Sequence, residues 1–416
     1  MTHRTTLFLT PALALLPTVV LANPLPDFAD ESGARLPVNP NPPATDTLDV
    51  DLVDIDADGD LDLIVIEGTA SPAPRPNLLF VNDGTGHFSD ETFLRLPPGP
   101  PANSTEVEAA DVDGDGDLDL LIANLGPNQL FLNDGNGFFT DASATHLPPP
   151  DPNFLNDISA EARFGDFDGD GDPDIVVSNE NPFNPSPLGG GQNRLLLNDG
   201  SGHYTDGTAG RLPAITDQTA GHVVGDIDTD GDLDLIVINI GANAVLLNDG
   251  TGTFSDETAL LLPGDPARSS RKGVLGDIDG DGCGDLVIGN SRAESNELWL
   301  GDCDGFFVMD TVIMPADTAT TTDVDLVDLD GDGDLDVYFT NAGEFLFGHG
   351  FLGEPNALLA NRNGNRLLDK THQSFPGVSD PSTNAEFGDV DGDGDLDLVV
   401  ANSTETGGAE ILWIAD

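Results

Sequence analysis

Nine residues, Asp-x-Asp-x-Asp-Gly-x-x-Asp, recur seven times along this chain. The copies begin at Asp54 (DIDADGDLD), Asp111 (DVDGDGDLD), Asp166 (DFDGDGDPD), Asp226 (DIDTDGDLD), Asp277 (DIDGDGCGD), Asp328 (DLDGDGDLD) and Asp389 (DVDGDGDLD). Carboxylates on alternate positions of so short a loop repel one another unless a cation sits among them. Positions 1, 3, 5 and 9 are Asp in every copy, and position 6 is always Gly, which allows a sharp turn between the ligands.

The candidate side-chain ligands are Asp54, Asp56, Asp58 and Asp62, then Asp111, Asp113, Asp115 and Asp119, then Asp166, Asp168, Asp170 and Asp174. They continue with Asp226, Asp228, Asp230 and Asp234, then Asp277, Asp279, Asp281 and Asp285. The last two sets are Asp328, Asp330, Asp332 and Asp336, and Asp389, Asp391, Asp393 and Asp397. Position 7 supplies a main-chain carbonyl, from Asp60, Asp117, Asp172, Asp232, Cys283, Asp334 and Asp395, so the one break in the pattern, Cys283, removes no ligand. Oxygen donors at this spacing suit calcium, whereas magnesium demands a tighter octahedron and zinc prefers imidazole and thiolate. About seven calcium sites are expected.

Between the loops the same strand pattern repeats. In the second unit a short strand enters the loop, LDLLIAN (Leu118 to Asn124) is an apolar run, NQLFLNDGNG ends in an Asn-Asp-Gly turn, and FFTDASATHLP closes the unit. Four antiparallel strands per repeat, with no helical periodicity, indicate an all-β chain. The two ends decide between a stack and a ring. The chain stops at Ile411-Leu412-Trp413-Ile414, a third-strand position, while FADESGARLP from Phe28 matches the fourth-strand signatures at Phe88 and Phe254. The expected fold is therefore a seven-bladed β-propeller of four-stranded blades, closed by the N-terminal strand completing the last blade.

The pattern DxDGDGDLDLxxAN...NxLxLNDGxGxFxDxT resembles the FG-GAP/VCBS repeat family, which includes the calcium-bearing propellers of integrin α-subunits. The resemblance covers nearly the whole chain after residue 22. It implies that the Asp-rich loops join the first and second strands of each blade, and that the role is adhesion, recognition or, as in some multidomain relatives, carbohydrate-active chemistry. The integrin-type Phe-Gly signature is mostly replaced by Asn-containing sequences, so integrin-like partner binding does not carry over.

Residues 1–22 read as a secretory signal, with His3 and Arg4, an apolar run from Leu7 to Leu21, and a small side chain at Ala22 where cleavage is expected. The propeller then occupies residues 23–416 and is expected to be exported, extracellular or periplasmic, with no membrane insertion, and monomeric. A formal charge of −61, from 75 acidic against 14 basic residues, excludes nucleic acid as a natural partner. In an oxidising compartment Cys283 and Cys303 are expected to pair, because a meander puts both at the same end of one blade.

No nucleophile elbow, zinc helix, phosphate loop or CxxC pair is present, and the carboxylates of the loops are committed to metal. The expected role is non-enzymatic binding of a protein or glycan. The candidate ligand face comprises Arg268, Arg271, Lys272 and His349, on the connections opposite the metal loops. The alternative is a carbohydrate-active enzyme such as a polysaccharide lyase, built on the same bases with His222 added.

Overall fold

The computed structural model describes residues 25–26, 28–38, 45–68, 75–99, 102–149, 158–180, 190–343, 345–346, 350–351, 353–364, 366–375, 381–404 and 410–415. The signal segment, residues 1–22, lies outside them.

Seven antiparallel four-stranded sheets form the blades. Blade 1 comprises Thr45–Val53, Asp62–Glu67, Leu78–Asn82 and Phe88–Asp90, and blade 2 comprises Ser104–Ala110, Asp119–Asn124, Gln129–Asn133 and Phe139–Asp141. Blade 3 is built from Ser159–Gly165, Asp174–Asn179, Arg194–Asn198 and Tyr204–Asp206, and blade 4 from Thr219–Gly225, Asp234–Asn239, Ala244–Asn248 and Phe254–Asp256. Blade 5 contains Ser270–Gly276, Asp285–Asn290, Glu297–Gly301 and Phe307–Met309, and blade 6 contains Thr321–Val327, Asp336–Asn341, Ala357–Ala360 and Leu368–Asp369. Blade 7 takes Ser382–Gly388, Asp397–Thr404 and Ile411–Ala415 from the end of the chain and Phe28–Asp30 from its beginning.

The closure has a defined register: Phe28 pairs with Ala415, Ala29 with Ile414 and Asp30 with Trp413. Phe28 also stacks on Phe375 of blade 6, with ring centroids 4.7 Å apart. Seven apolar clusters hold the ring, one at each boundary between neighbouring blades. Second strands such as Leu63 to Ile66 are buried on both faces because each sheet is covered by a blade on either side, which explains their unbroken apolar runs.

The fourth strands are shorter than the sequence pattern suggests. Each is three residues or fewer, and in five blades a one-turn helix follows: Ser32–Arg35, Thr92–Arg95, Ser143–His146, Thr258–Leu261 and Thr371–Ser374. The recurring Asp-x-Ser/Thr explains the stop. Asp90 Oδ1 accepts the Thr92 N–H at 3.1 Å, and the Thr92 hydroxyl in turn accepts the Leu79 N–H of the third strand at 2.9 Å. A side chain thus takes over the ladder bond that a longer strand would have made.

Candidate metal centres and the axial channel

Each Asp-rich loop joins the first and second strands of its blade. The position 1 carboxylate folds the loop around itself: Asp54 accepts the N–H groups of Asp58 and Gly59, both at 3.1 Å. Gly59 has φ +97°, a conformation open to glycine at little cost, and the same residue type recurs at position 6 of all the loops. At position 9 the side chain turns inward. Asp62 is buried, its Oδ2 accepting the Ile55 N–H at 3.3 Å and its Oδ1 the Asn82 N–H at 2.8 Å, so it ties the loop to the end of the third strand.

Oxygen atoms converge accordingly. Asp54, Asp56 and Asp58, Asp111, Asp113 and Asp115, and Asp226, Asp228 and Asp230 each place a carboxylate oxygen within 4.8 Å of the others. The third and fifth loops do so through Asp166, Asp168 and Asp174, and through Asp277, Asp279 and Asp285. At position 3, Oδ1 of Asp56, Asp168, Asp228 and Asp391 and both oxygens of Asp330 are shielded from solvent and accept no hydrogen bond. Buried acceptors left without donors, beside other carboxylates, match what a hard cation requires. Burial pushes the position 9 carboxyls up, to about 7 for Asp62, Asp119, Asp174 and Asp336 and to about 6 for Asp234, Asp285 and Asp397, against the opposing pull of their backbone N–H donors.

The asparagine of each Asn-Asp-Gly turn joins neighbouring loops. Asn133 Nδ2 donates to the Leu118 carbonyl of its own loop at 3.0 Å and to the Ile55 carbonyl of the preceding blade's loop at 2.7 Å. Asn82, Asn198, Asn248 and Asn361 make the equivalent reach across their blade boundaries. Blade 5 has Gly301 instead, and there Cys283 of the loop is disulfide-bonded to Cys303 of the turn.

A second polar centre, not anticipated from the sequence, lies on the axis. The first strands line a channel of about 900 Å³, into which they bring Asp49, Asp51, Glu106, Glu108, Glu161, Asp323, Asp325 and Glu386 against two permanent cations, Arg163 and Lys272. Several of these groups, and Asn384 of blade 7 beside them, cap the exposed inner edge of the next blade. Asp49 accepts the Val107 N–H at 2.9 Å, Glu106 the Ala162 N–H at 2.9 Å, and Asn384 the Val50 N–H at 3.2 Å. Glu161 accepts the His222 N–H, and a side chain at Gly221 would occupy the space of that carboxylate. Burial pushes His222 down to about 4, so the imidazole is neutral.

Lys272 starts in blade 5 and spans the channel to Glu161 at 2.7 Å and Glu106 at 3.3 Å; Arg163 meets Glu106, Glu108 and Glu161. Burial pushes Asp51 up to about 6 and Glu386 up to about 8. The sequence signal for this centre was charge inside the first strands, as in Asp49-Val50-Asp51, Glu106-Val107-Glu108 and Asp323-Val324-Asp325.

The bases grouped in one connection by sequence are separated in space. Arg268 pairs with Glu297, Arg271 with Glu180 at 3.2 Å, and Lys272 belongs to the channel rather than to the outer face. His349 lies outside the described residues. Arg271 instead lines a wide axial mouth of about 910 Å³ on the side opposite the metal loops, together with Thr105, Thr322, Thr383, Glu180 and Glu354. A β-bulge in each first strand, as between Thr47 and Asp49, re-aims the residue at this level towards the mouth.

Comparison with known proteins follows the repeat. The family profile described as FG-GAP-like repeat matches residues 54–122, 111–177, 186–237, 226–288, 277–339 and 345–400. A search of curated proteins finds no match. Among solved structures the chain is similar to an Agrocybe aegerita lectin described as recognising non-reducing terminal N-acetylglucosamine, at 17% identity and TM-score 0.52, over 84% of this chain and 91% of that one. It is also similar to BBS1N, solved in complex with ARL6DN, at 13% identity and TM-score 0.54, over 94% of this chain and 97% of that one. Likeness at such identity speaks to the fold alone, but the repeat profile spans most of the sequence, and the chain belongs to the FG-GAP-like repeat family.

Proposed function

We propose that this protein is an exported β-propeller, stabilised by calcium in its Asp-rich loops, that acts as a non-enzymatic binding module for a glycan or protein. The orphaned position 3 oxygens support the calcium reading, since shielded carboxylate oxygens without a donor, clustered with other carboxylates, suit a hard cation. The two cysteines joined as a disulfide support export to an oxidising compartment.

The observation that carries the binding role is the axial mouth. Around it Thr105 donates its hydroxyl proton to the Ser159 carbonyl at 3.1 Å, Thr322 to Ser382 at 3.0 Å and Thr383 to Thr47 at 2.8 Å. With their protons committed, these oxygens offer lone pairs to a ligand rich in hydroxyl or amide donors. Arg271, held by Glu180, adds directed donors. The Agrocybe aegerita lectin shows glycan recognition on a related fold, which favours a sugar ligand.

A glycan array and a pull-down, both run in calcium, test the reading. Saturable binding that weakens when Arg271 and Thr322 are replaced by alanine is expected. Incubation with polyuronates that yields unsaturated products would establish the lyase alternative instead.

A further inference from the structure

The ion pairs of the channel beneath the mouth lie on one side. Lys272 and Arg163 make their direct contacts with Glu106, Glu108 and Glu161 of blades 2 and 3, and reach the facing carboxyls only through space. The facing wall, from blades 6, 7 and 1, carries Asp325, Glu386 and Asp51 at a single level of three adjacent first strands, as their registers with Tyr338, Val399 and Ile64 show. Among the described residues none of the three forms an ion pair, and Asp325 Oδ2 is shielded from solvent and accepts no hydrogen bond, so this wall contains an acceptor without a donor among those residues. One level nearer the mouth, Asp323 and Asp49 spend an oxygen each on a neighbouring backbone N–H and add further negative potential.

We propose that the blade 6–7–1 wall of the axial channel binds a primary ammonium group of a ligand entering through the mouth. Lys272 is the internal precedent. Its ammonium sits between two carboxylates of neighbouring blades in the same channel, with donors directed at both. The opposite wall repeats the carboxylates without the lysine. An ammonium suits it because its donors can serve acceptors on several blades at once. A cavity of about 900 Å³ has room for an alkyl or sugar body behind the charged head. Half-buried carboxyl groups without a direct cationic partner also lower stability once they ionise, which makes the wall costly to the fold in the ligand's absence. The inference does not depend on whether the mouth itself holds glycan or protein.

Crystals grown in saturating calcium and soaked in 4-iodobenzylammonium test it, because iodine gives an anomalous signal and the Asp-rich loops report independently on the integrity of the fold. The expected result is an iodine-bearing ligand in the channel with its ammonium against Asp325, Glu386 and Asp51. In Asp51→Asn/Asp325→Asn/Glu386→Gln the density is lost, calorimetric affinity for the same amine falls by at least about tenfold, and the melting temperature rises. Asp325→Asn alone serves if the triple variant is poorly expressed. An empty channel in wild type with filled loops overturns the inference. So do density that persists in the variants, a metal ion in place of the amine, or variants that melt lower than wild type, which would make the carboxylates structural.

Discussion

In blade 5, Cys303 occupies the turn position that Gly250 holds in blade 4, and it is bonded to Cys283, Cα to Cα 4.9 Å, where blade 4 has Asp232. In blade 4 a side chain at Gly250 would run into the Asp232 carboxylate. The disulfide therefore makes covalent a close approach that blades 1 to 4 make by packing an acidic side chain against glycine. Cys303 keeps the left-handed backbone of the glycine it replaces, with φ +61°.

That equivalence has a testable consequence. Cys283→Ser/Cys303→Ser is expected to lose about 3 kcal/mol of unfolding free energy, the scale for a cross-link closing a loop of this size. Cys283→Asp/Cys303→Gly, which restores the pattern of blade 4, is expected to recover part of that loss in urea denaturation. If the two variants unfold at the same urea concentration, the correspondence between the bridge and the Asp-Gly contact is wrong.

Asn133 is expected to matter beyond its own turn. Its Nδ2 holds two carbonyls and its Oδ1 accepts the Gly135 and Gly137 N–H groups at 3.1 and 3.0 Å. Asn133→Ala strands these partners, for a loss of about 2 kcal/mol or more. Because one of the carbonyls belongs to Ile55, the change should also weaken calcium binding in the loop that starts at Asp54. Calcium titration of the variant followed by NMR of the loop glycines would reveal it, and an effect confined to the loop at Asp111 would contradict the cross-blade tie.

Ring closure can be probed at its smallest contact. Phe28 is buried between blades 6 and 7, so Phe28→Ala should cost about 3 kcal/mol, in the range for an aromatic core truncation. Hydrogen exchange should then rise first in Ile411–Ala415, the strand that Phe28–Asp30 covers. Uniform exchange across all blades would argue against a local latch.

How much of this was legible in the sequence depends on whether a feature is local. The loop ligands were readable because all of them lie within nine residues, and the closure was readable because FADESGARLP matches other fourth strands. The one-turn helices were hidden in Asp-x-Ser/Thr, where a hydroxyl two residues beyond an aspartate ends the strand. The channel escaped because it is assembled from residues of all seven blades: Lys272 meets Glu106 across 166 positions of sequence. Adjacency also misled, since Arg271 and Lys272 are consecutive yet face the mouth and the channel respectively.

The channel carboxylates make stability depend on pH. Burial raises Glu386 from the ordinary 4.5 to about 8 in the folded protein, so the folded state holds a proton that the unfolded chain has released. Its contribution is fully present below the unfolded value and is lost as pH climbs through about 8. In saturating calcium the melting temperature should fall between pH 5 and 8 on this account, and Glu386→Gln should flatten the fall by on the order of 5 °C. An identical slope in the variant would show that the group does not titrate in this range.

The proposed calcium role rests on cations holding together loops whose carboxylates otherwise repel one another. At a tenfold excess over its dissociation constant, each calcium bound only to the native state adds about 1.4 kcal/mol, so seven together rival the net stability of a domain. The direct measurement is thermal unfolding with calcium counted on the same sample, before and after exhaustive dialysis against EDTA. Seven calcium ions per chain and a large drop in melting temperature on their removal are expected; an unchanged melt in the calcium-free protein would contradict the account at its root.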